Sequence, residues 1–276
     1  MLEFEIVAED GAARRGVIRT AHGDLETPGF FAVATRATLK GLDPAAAQRA
    51  GIGALICNAY HLAMQPGPAV VDAAGGLHSF MGWPGVLATD SGGFQVFSLR
   101  HGQVADELKG RRRLPSSSDD DPLEAVRVSE EGAEFRSYFD GARHLFTPES
   151  NMALQRSLGA DILFCLDECT PFHVTPEYTR DATERNLRWA RRCQEEFDRL
   201  QMGGRQSLYG IVHGGVYPEL REWSARSIAG LGFAGFGIGD CLGETKRDWY
   251  GLVAAVTPLL PPCLLYTSDA ADDLTR

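Results

Sequence analysis

Short apolar runs alternate along the chain with longer stretches in which apolar residues recur every three to four positions. Six of the short runs, Gly29–Thr35, Ala54–Tyr60, Gly85–Asp90, Asp161–Asp167, Ser207–His213 and Gly235–Gly239, are apolar at nearly every position. This is the pattern of parallel strands covered on both faces; strands with one wet face alternate instead. Between the runs, the helical period predicts helices over Asp43–Ala50, Pro148–Leu158, Pro176–Leu200, Glu219–Leu231 and Thr245–Leu260. Thr175 and Pro176 suit the N-cap and first position of the longest of these. The alternating stretch AEFRSYFDGARHLFT carries Asp140-Gly141 near its middle and predicts a β-hairpin. Strand–helix alternation repeated six times means an α/β fold, either a doubly wound sheet or a (β/α)₈ TIM barrel.

The residues that end the strands favour the barrel. The second run finishes in Asn58, Tyr60 and His61, the third in Asp90 and Ser91, the fourth in Asp167 and Glu168, the fifth in His213 and Gly214, the sixth in Gly239 and Asp240. In a barrel every strand opens on the same face, whereas an open sheet gathers ligands at one switch point. Each residue also has a purely structural explanation. Asp90 or Asp167 could cap a following helix, Asn58 and His61 could be satisfied polar groups of the core, and Gly92-Gly93 could be a tight turn. Two carboxylates on neighbouring strands, with glycines beside one of them, are better explained by a ligand that approaches the backbone closely.

Composition narrows the partners. A chain of 276 residues with 44% hydrophobic content buries a sizeable core in one large or two small domains. A net charge of -10 gives no overall attraction for a polyanion, so a nucleic-acid partner needs a local basic patch. KGRRRLPSSSDDD, with Lys109 and Arg111 to Arg113, is one candidate, although it reads more readily as a solvated loop whose acidic half balances its basic half. Six scattered cysteines, Cys57, Cys165, Cys169, Cys193, Cys241 and Cys263, suit free thiols in a reducing cytosol. Cys165 and Cys169 are close, but nothing near them completes a four-ligand set, so no metal site is expected. The chain shows no leader and no apolar run of about 18 residues, which predicts a cytoplasmic protein without a membrane span.

Six blocks, TPGFFAVATRATLKGLDP, NAYHLAMQPG, GGLHSFMGWPGVLATDSGGFQVFSL, FRSYFDGARHLFTPE, DILFCLDECTPF and LYGIVHGGVYPELR, together resemble the tRNA-guanine transglycosylases, the queuine and archaeosine tRNA-ribosyltransferases. The resemblance runs in order over roughly residues 1–262, and TDSGGFQV and DECTP are distinctive. It implies a (β/α)₈ barrel, with about six βα units in this chain and a β-hairpin insertion, that exchanges guanine at the tRNA wobble position for a 7-deazaguanine through a covalent ribosyl-enzyme. By the resemblance Asp90 contacts the base and accepts a proton, with Asn58 orienting it. Ser91, Gly92, Gly93 and Phe94 form the turn and the ring beneath the base, and Asp167 reads its donor edge. His213, Gly239 and Asp240 fall at further base-binding positions. The implied partners are the tRNA anticodon loop, guanine or the 7-deazaguanine, and a second subunit, in a homodimer or heterodimer.

The sequence also departs from the family. His213 stands where glutamine is usual and Asp240 where glycine is usual, and a third carboxylate beside Asp90 and Asp167 is expected to raise the proton affinity of the group. The family's nucleophilic aspartate lies in a later Asp-x-Val-x-Pro-Thr-Arg segment, followed by a zinc site of three cysteines and a histidine. Neither is found here, and the zinc ligands are absent with them. Residues 263–276 resemble nothing in the family, show no strand or helix period, and read as a sequence artefact joined to a partial barrel over residues 1–262. The alternatives are a non-catalytic transglycosylase subunit and a glycosidase-like barrel that uses Asp90 and Asp167 as acid and nucleophile.

Overall fold

The computed structural model describes residues 2–93, 95, 126–137, 139–170, 174–240 and 245–261, and the strand backbone of 264–267. Phe94, the basic run from Lys109, Cys241 and Cys263 lie outside the described residues. The chain opens with three antiparallel strands, β1 Glu3–Asp10, β2 Ala13–Thr20 and β3 Gly23–Thr27. Then follow β4 Phe31–Val33, α1 Pro44–Arg49, β5 Ala54–Cys57, three short helices α2 Ala59–Met64, α3 Pro68–Ala73 and α4 Leu77–Met81, and β6 Val86–Thr89. A second antiparallel sheet, β7 Val126–Val128, β8 Ala133–Arg136 and β9 Arg143–Phe146, precedes α5 Pro148–Leu158 and β10 Ile162–Phe164. The chain continues through α6 Pro176–Arg199, β11 Ser207–Val212, α7 Pro218–Ala229, β12 Gly235–Ile238, α8 Lys246–Val256 and β13 Leu264–Thr267.

The main sheet has seven parallel strands in the order β4-β5-β6-β10-β11-β12-β13. Spatial order follows chain order with no reversal. A doubly wound sheet reverses at its switch point, so this is the winding of a barrel wall, and the sheet is compatible with part of a (β/α)₈ barrel. All six expected strands are present, each trimmed at its carboxyl end. Tyr60 and His61 belong to α2 and not to a strand end, because Asn58 breaks the extended run by capping that helix, its Oδ1 accepting from His61 N at 3.0 Å.

The seventh strand, β13, lies where the sequence pattern leaves no strand. It pairs in parallel with β12, Gly235 opposite Leu264 and Ile238 opposite Thr267. Backbone pairing with an existing strand needs no apolar period of its own, which is why the pattern missed it.

Strands β5, β6, β10 and β11 are covered on both sides, as their unbroken apolar runs require. One face packs under the helices through Leu55, Leu87, Leu163 and Leu208. The other, with Ala54, Ile56, Val86, Ala88, Ile162, Phe164 and Tyr209, packs against Ile18 and Leu25 of the first antiparallel sheet. Fully burying one such leucine contributes about 1.5–3 kcal/mol. The hairpin β8–β9 turns at Asp140-Gly141 as expected, with Gly141 at φ 72° and Ala142 N bonded to Asp140 Oδ1 at 3.0 Å. Among the described residues no helix is long and apolar enough to cross a membrane.

Candidate active site

Five strands end at one mouth, and the residues just beyond them touch one another in a chain. Asn58, after β5, donates from Nδ2 to Asp90 Oδ2 at 2.6 Å. The other Asp90 oxygen accepts from Ala59 N at 2.9 Å and from Gly92 N at 3.1 Å. Asn58 thus serves two ends, capping α2 with its oxygen and aiming Asp90 with its nitrogen. Asp90 thereby accepts from the first amide of α2. It ties the β6 loop to the start of α2.

Ser91 Oγ donates to Asp167 Oδ1 at 2.5 Å, and Cys169 Sγ lies 3.3 Å from Asp167 Oδ2. Gly92 and Gly93 are glycines first for packing. Gly92 has φ 79°, and a Cβ there would sit 2.8 Å from Tyr60 Cβ; a Cβ on Gly93 would sit 2.1 Å from Asp167 O. A side chain at either position would meet α2 or the loop after β10, which gives both glycines a packing role beside the ligand approach expected from the sequence.

His213, after β11, is buried between two carboxylates. Its Nδ1 is 3.1 Å from Asp240 Oδ1 and its Nε2 3.5 Å from Asp167 Oδ2. Both contacts lie off the line of a hydrogen bond, so charge holds the ring more than directed bonding does. Burial works against the imidazolium, but Asp240 and then Asp167 outweigh it and raise the His213 pKa above its ordinary value.

Asp240 corrects the expectation of a third, repelling carboxylate. Its side chain is 0% exposed and turned into the protein. Oδ1 accepts from Thr170 N at 2.9 Å, and Oδ2 from Gly214 N at 2.9 Å and Gly215 N at 3.0 Å. Burial alone would raise its proton affinity, but His213, Arg221 and the Gly215 amide reverse this and hold the carboxyl well below the usual range. Its backbone is left-handed at φ 66°, a conformation that costs a non-glycine residue about 1–2 kcal/mol and that aspartate tolerates better than most. Gly239, beside it, gives its carbonyl to Arg221 Nη2 at 2.8 Å.

The supporting groups were not singled out in the sequence. Arg221, on α7 and 1% exposed, also donates from Nε to Gly215 O at 2.6 Å, so one buried guanidinium pins the loops after β11 and β12. Asn151 and Gln155, one turn apart on the buried face of α5, form a second brace. Asn151 Nδ2 holds Ser91 O at 2.7 Å, while Gln155 joins Asn151, Phe164 O and the Thr89 hydroxyl. The available signal was polar residues at i and i+4 inside an otherwise apolar helical stripe. Glu168 faces away from this chain of contacts, held by Tyr178 Oη at 2.6 Å and by Arg185.

The zinc set implied by the resemblance finds no match in these donors. Among the described residues no cysteine belongs to a group of three or more possible metal ligands, and Cys57, Cys165 and Cys193 are buried. Burial, with Asp90 adding, pushes the Cys57 thiol up to about 12, so without a metal it stays protonated.

A sequence model of the queuine tRNA-ribosyltransferase family matches residues 9–267. Proteins named queuine tRNA-ribosyltransferase from Roseiflexus sp. (strain RS-1) and Protochlamydia amoebophila (strain UWE25) are 44% and 41% identical, over 94% of this chain and 66% of each relative. The one from Desulforamulus reducens is 42% identical over 90% of this chain and 60% of its own length. The chain thus spans 60–66% of the length of these relatives. With the family model covering nearly all of it and the strand-end aspartates gathered at one mouth, the chain belongs to the queuine tRNA-ribosyltransferase family.

Proposed function

We propose that the chain is the base-binding part of a tRNA-guanine transglycosylase, a pentosyltransferase that replaces guanine at the anticodon wobble position with a 7-deazaguanine. The observation that carries the reading is the pairing of two differently held carboxylates at one mouth, Asp90 aimed by Asn58 and Asp167 aimed by Ser91. Guanine offers N1–H and the 2-amino group as adjacent donors, and an ionised carboxylate only accepts. Asp167 has about four lone-pair sites, of which Ser91 and Cys169 take two, leaving acceptors for the base edge. The base must leave its stack to enter the mouth, at a cost of a few kcal/mol that edge hydrogen bonds and stacking offset.

Exchange requires two displacements at the ribose C1′. In the first, a carboxylate oxygen bonds to C1′ as the bond to guanine N9 breaks, and the departing base keeps the electron pair and takes up a proton. In the second, the deazaguanine gives its N9 proton to Asp90 and attacks C1′, and the C1′–carboxylate bond breaks. Asp90 is suited to the proton step because amides and Asn58 fix its direction. The nucleophile belongs to the Asp-x-Val-x-Pro-Thr-Arg segment of the resemblance, and a tRNA-gripping zinc unit and a second subunit complete the proposal.

Calorimetric titration with guanine tests the base site. Asp167→Asn turns a donor toward a donor edge and should weaken binding by about 10- to 100-fold, the size of a lost charge-assisted hydrogen bond. Equal affinity for the two proteins removes Asp167 from base recognition. Transfer of labelled guanine into tRNA is expected once the Asp-x-Val-x-Pro-Thr-Arg segment is supplied. Transfer by the 276-residue chain alone would place the nucleophile within it, with Asp90 the first suspect.

A further inference from the structure

A second cluster sits at the opposite end of the parallel sheet, where Asp161 immediately precedes β10. Its side chain is 2% exposed, and Leu87 N donates to Oδ2 at 2.9 Å. Two imidazoles reach it from distant parts of the chain. His22, in the β2–β3 turn, places Nδ1 2.7 Å from Asp161 Oδ1. His78, on α4, places Nε2 3.3 Å from Asp161 Oδ2. The two rings stack, with centroids 3.4 Å apart and planes 19° apart, and the three donor atoms lie within 4.8 Å of one another.

The second imidazole carries the argument. His78 Nδ1 lies 3.1 Å from the Trp83 carbonyl. A carbonyl only accepts, so Nδ1 bears the hydrogen, and in the neutral ring Nε2 presents a bare lone pair. That nitrogen is buried and has no hydrogen-bond partner, although it faces a carboxylate oxygen, itself only an acceptor. A lone pair directed at a carboxylate calls for a positive charge between the two. An imidazole whose other nitrogen donates to a backbone carbonyl is also the usual preparation of a metal ligand.

We propose that His22, His78 and Asp161 form a divalent-metal site of two imidazoles and one carboxylate, with Zn²⁺ the ion that matches the donor set. Three protein ligands leave a fourth position for water, on the side where His22 is 40% exposed. Tetrahedral ligands at about 2.0–2.2 Å from zinc stand about 3.3 Å apart. The His78–Asp161 pair already has this spacing, while the His22 ring, stacked on His78 with its Nδ1 2.7 Å from Asp161, must turn out of the stack on its exposed loop so that its lone pair converges with that of His78. The ion would tie the antiparallel sheet, α4 and β10 together, so its role is to brace the base of the sheet. It is separate from the cysteine-rich zinc unit of the resemblance and does not depend on the base-exchange reading.

The chain, stripped with a chelator, is titrated with Zn²⁺ at neutral pH beside His22→Ala and His22→Gln, variants on an exposed turn that leave the core intact. Wild type should take up one ion per chain and unfold at a higher temperature in its presence, because a ligand bound only to the folded state stabilises it. Both variants should bind at least about tenfold more weakly and lose the thermal shift. Co²⁺ in the same site should give visible bands without a thiolate charge-transfer band. Overturning results are a flat wild-type titration, undiminished binding in both variants, or a thiolate band.

Discussion

The two ends of the parallel sheet each bring aspartate and imidazole together, but by different means. At the mouth, Asp90, Asp167, His213 and Asp240 come from loops that directly follow adjacent strands, so sheet register alone sets them side by side. At the base, Asp161 stands alone in the sheet, and its imidazoles are delivered by the β2–β3 turn and by α4. The mouth is the more heavily braced: Asp240 takes three backbone amides and two buried braces hold the loops, although both ends leave imidazole nitrogens without a directed hydrogen bond, His213 at the mouth and His78 Nε2 at the base. A site built on strand ends is pre-organised by the sheet; a site built by a docked turn is only as firm as the docking, and gains most from an added cation.

The comparison is tested hardest by removing the best-satisfied group. Asp240→Ala leaves three buried amides and His213 without their acceptor and should cost about 3–5 kcal/mol in urea unfolding. A loss under 1 kcal/mol would mean that the mouth is no firmer than the base. Next in size is Gly93→Ala, whose Cβ would sit 2.1 Å from Asp167 O and must displace it. It should cost about 1–3 kcal/mol as overpacking and weaken guanine binding with it. The control is Gly141→Ala, at φ 72° with nothing within 4 Å, which should cost about 1 kcal/mol and leave binding alone. Similar effects on binding would detach Gly93 from the site.

The smallest expected effect is on pH dependence. His213 is raised in the folded state, so its contribution is complete below the unfolded imidazole pKa and fades as pH climbs through the folded value. Asp240 is depressed, so its contribution is present above the unfolded carboxyl pKa and is lost as pH falls through the folded value. The pair therefore stabilises most between about pH 4 and 6.5. The stability gap between wild type and His213→Gln should be wider at about pH 5.5 than at pH 9. A gap that widens with rising pH would reverse the assignment.

Much of this architecture was legible in one dimension. Unbroken apolar runs such as Ala54–Cys57 and Val86–Thr89 announce strands covered on both faces, because water reaches neither side. Thr175-Pro176 announces a helix start through local capping geometry. Asp90 and Asp167 stood out because a carboxylate that ends an apolar run is conspicuous.

Tertiary structure alone decided the rest. The first antiparallel sheet is largely exposed, and Ile18 and Leu25 show no readable alternation until the inner face of the main sheet covers them. Gly92 and Gly93 read from the sequence as a turn beside a ligand, and the structure adds a packing reason for them, since Tyr60 and Asp167, which a side chain there would meet, come from distant parts of the chain. Asp240 read as a repelling charge and is instead neutralised inward, because its surroundings come from Thr170, Gly214, Gly215 and His213, distant in sequence. The meeting of His22, His78 and Asp161 spans 139 residues and leaves no local trace. Local sequence determines where strands and helices begin and which residues end them, since these depend on solvent and on near neighbours; the protonation and partners of a buried group depend on the field of everything packed around it, which exists only once the chain has folded.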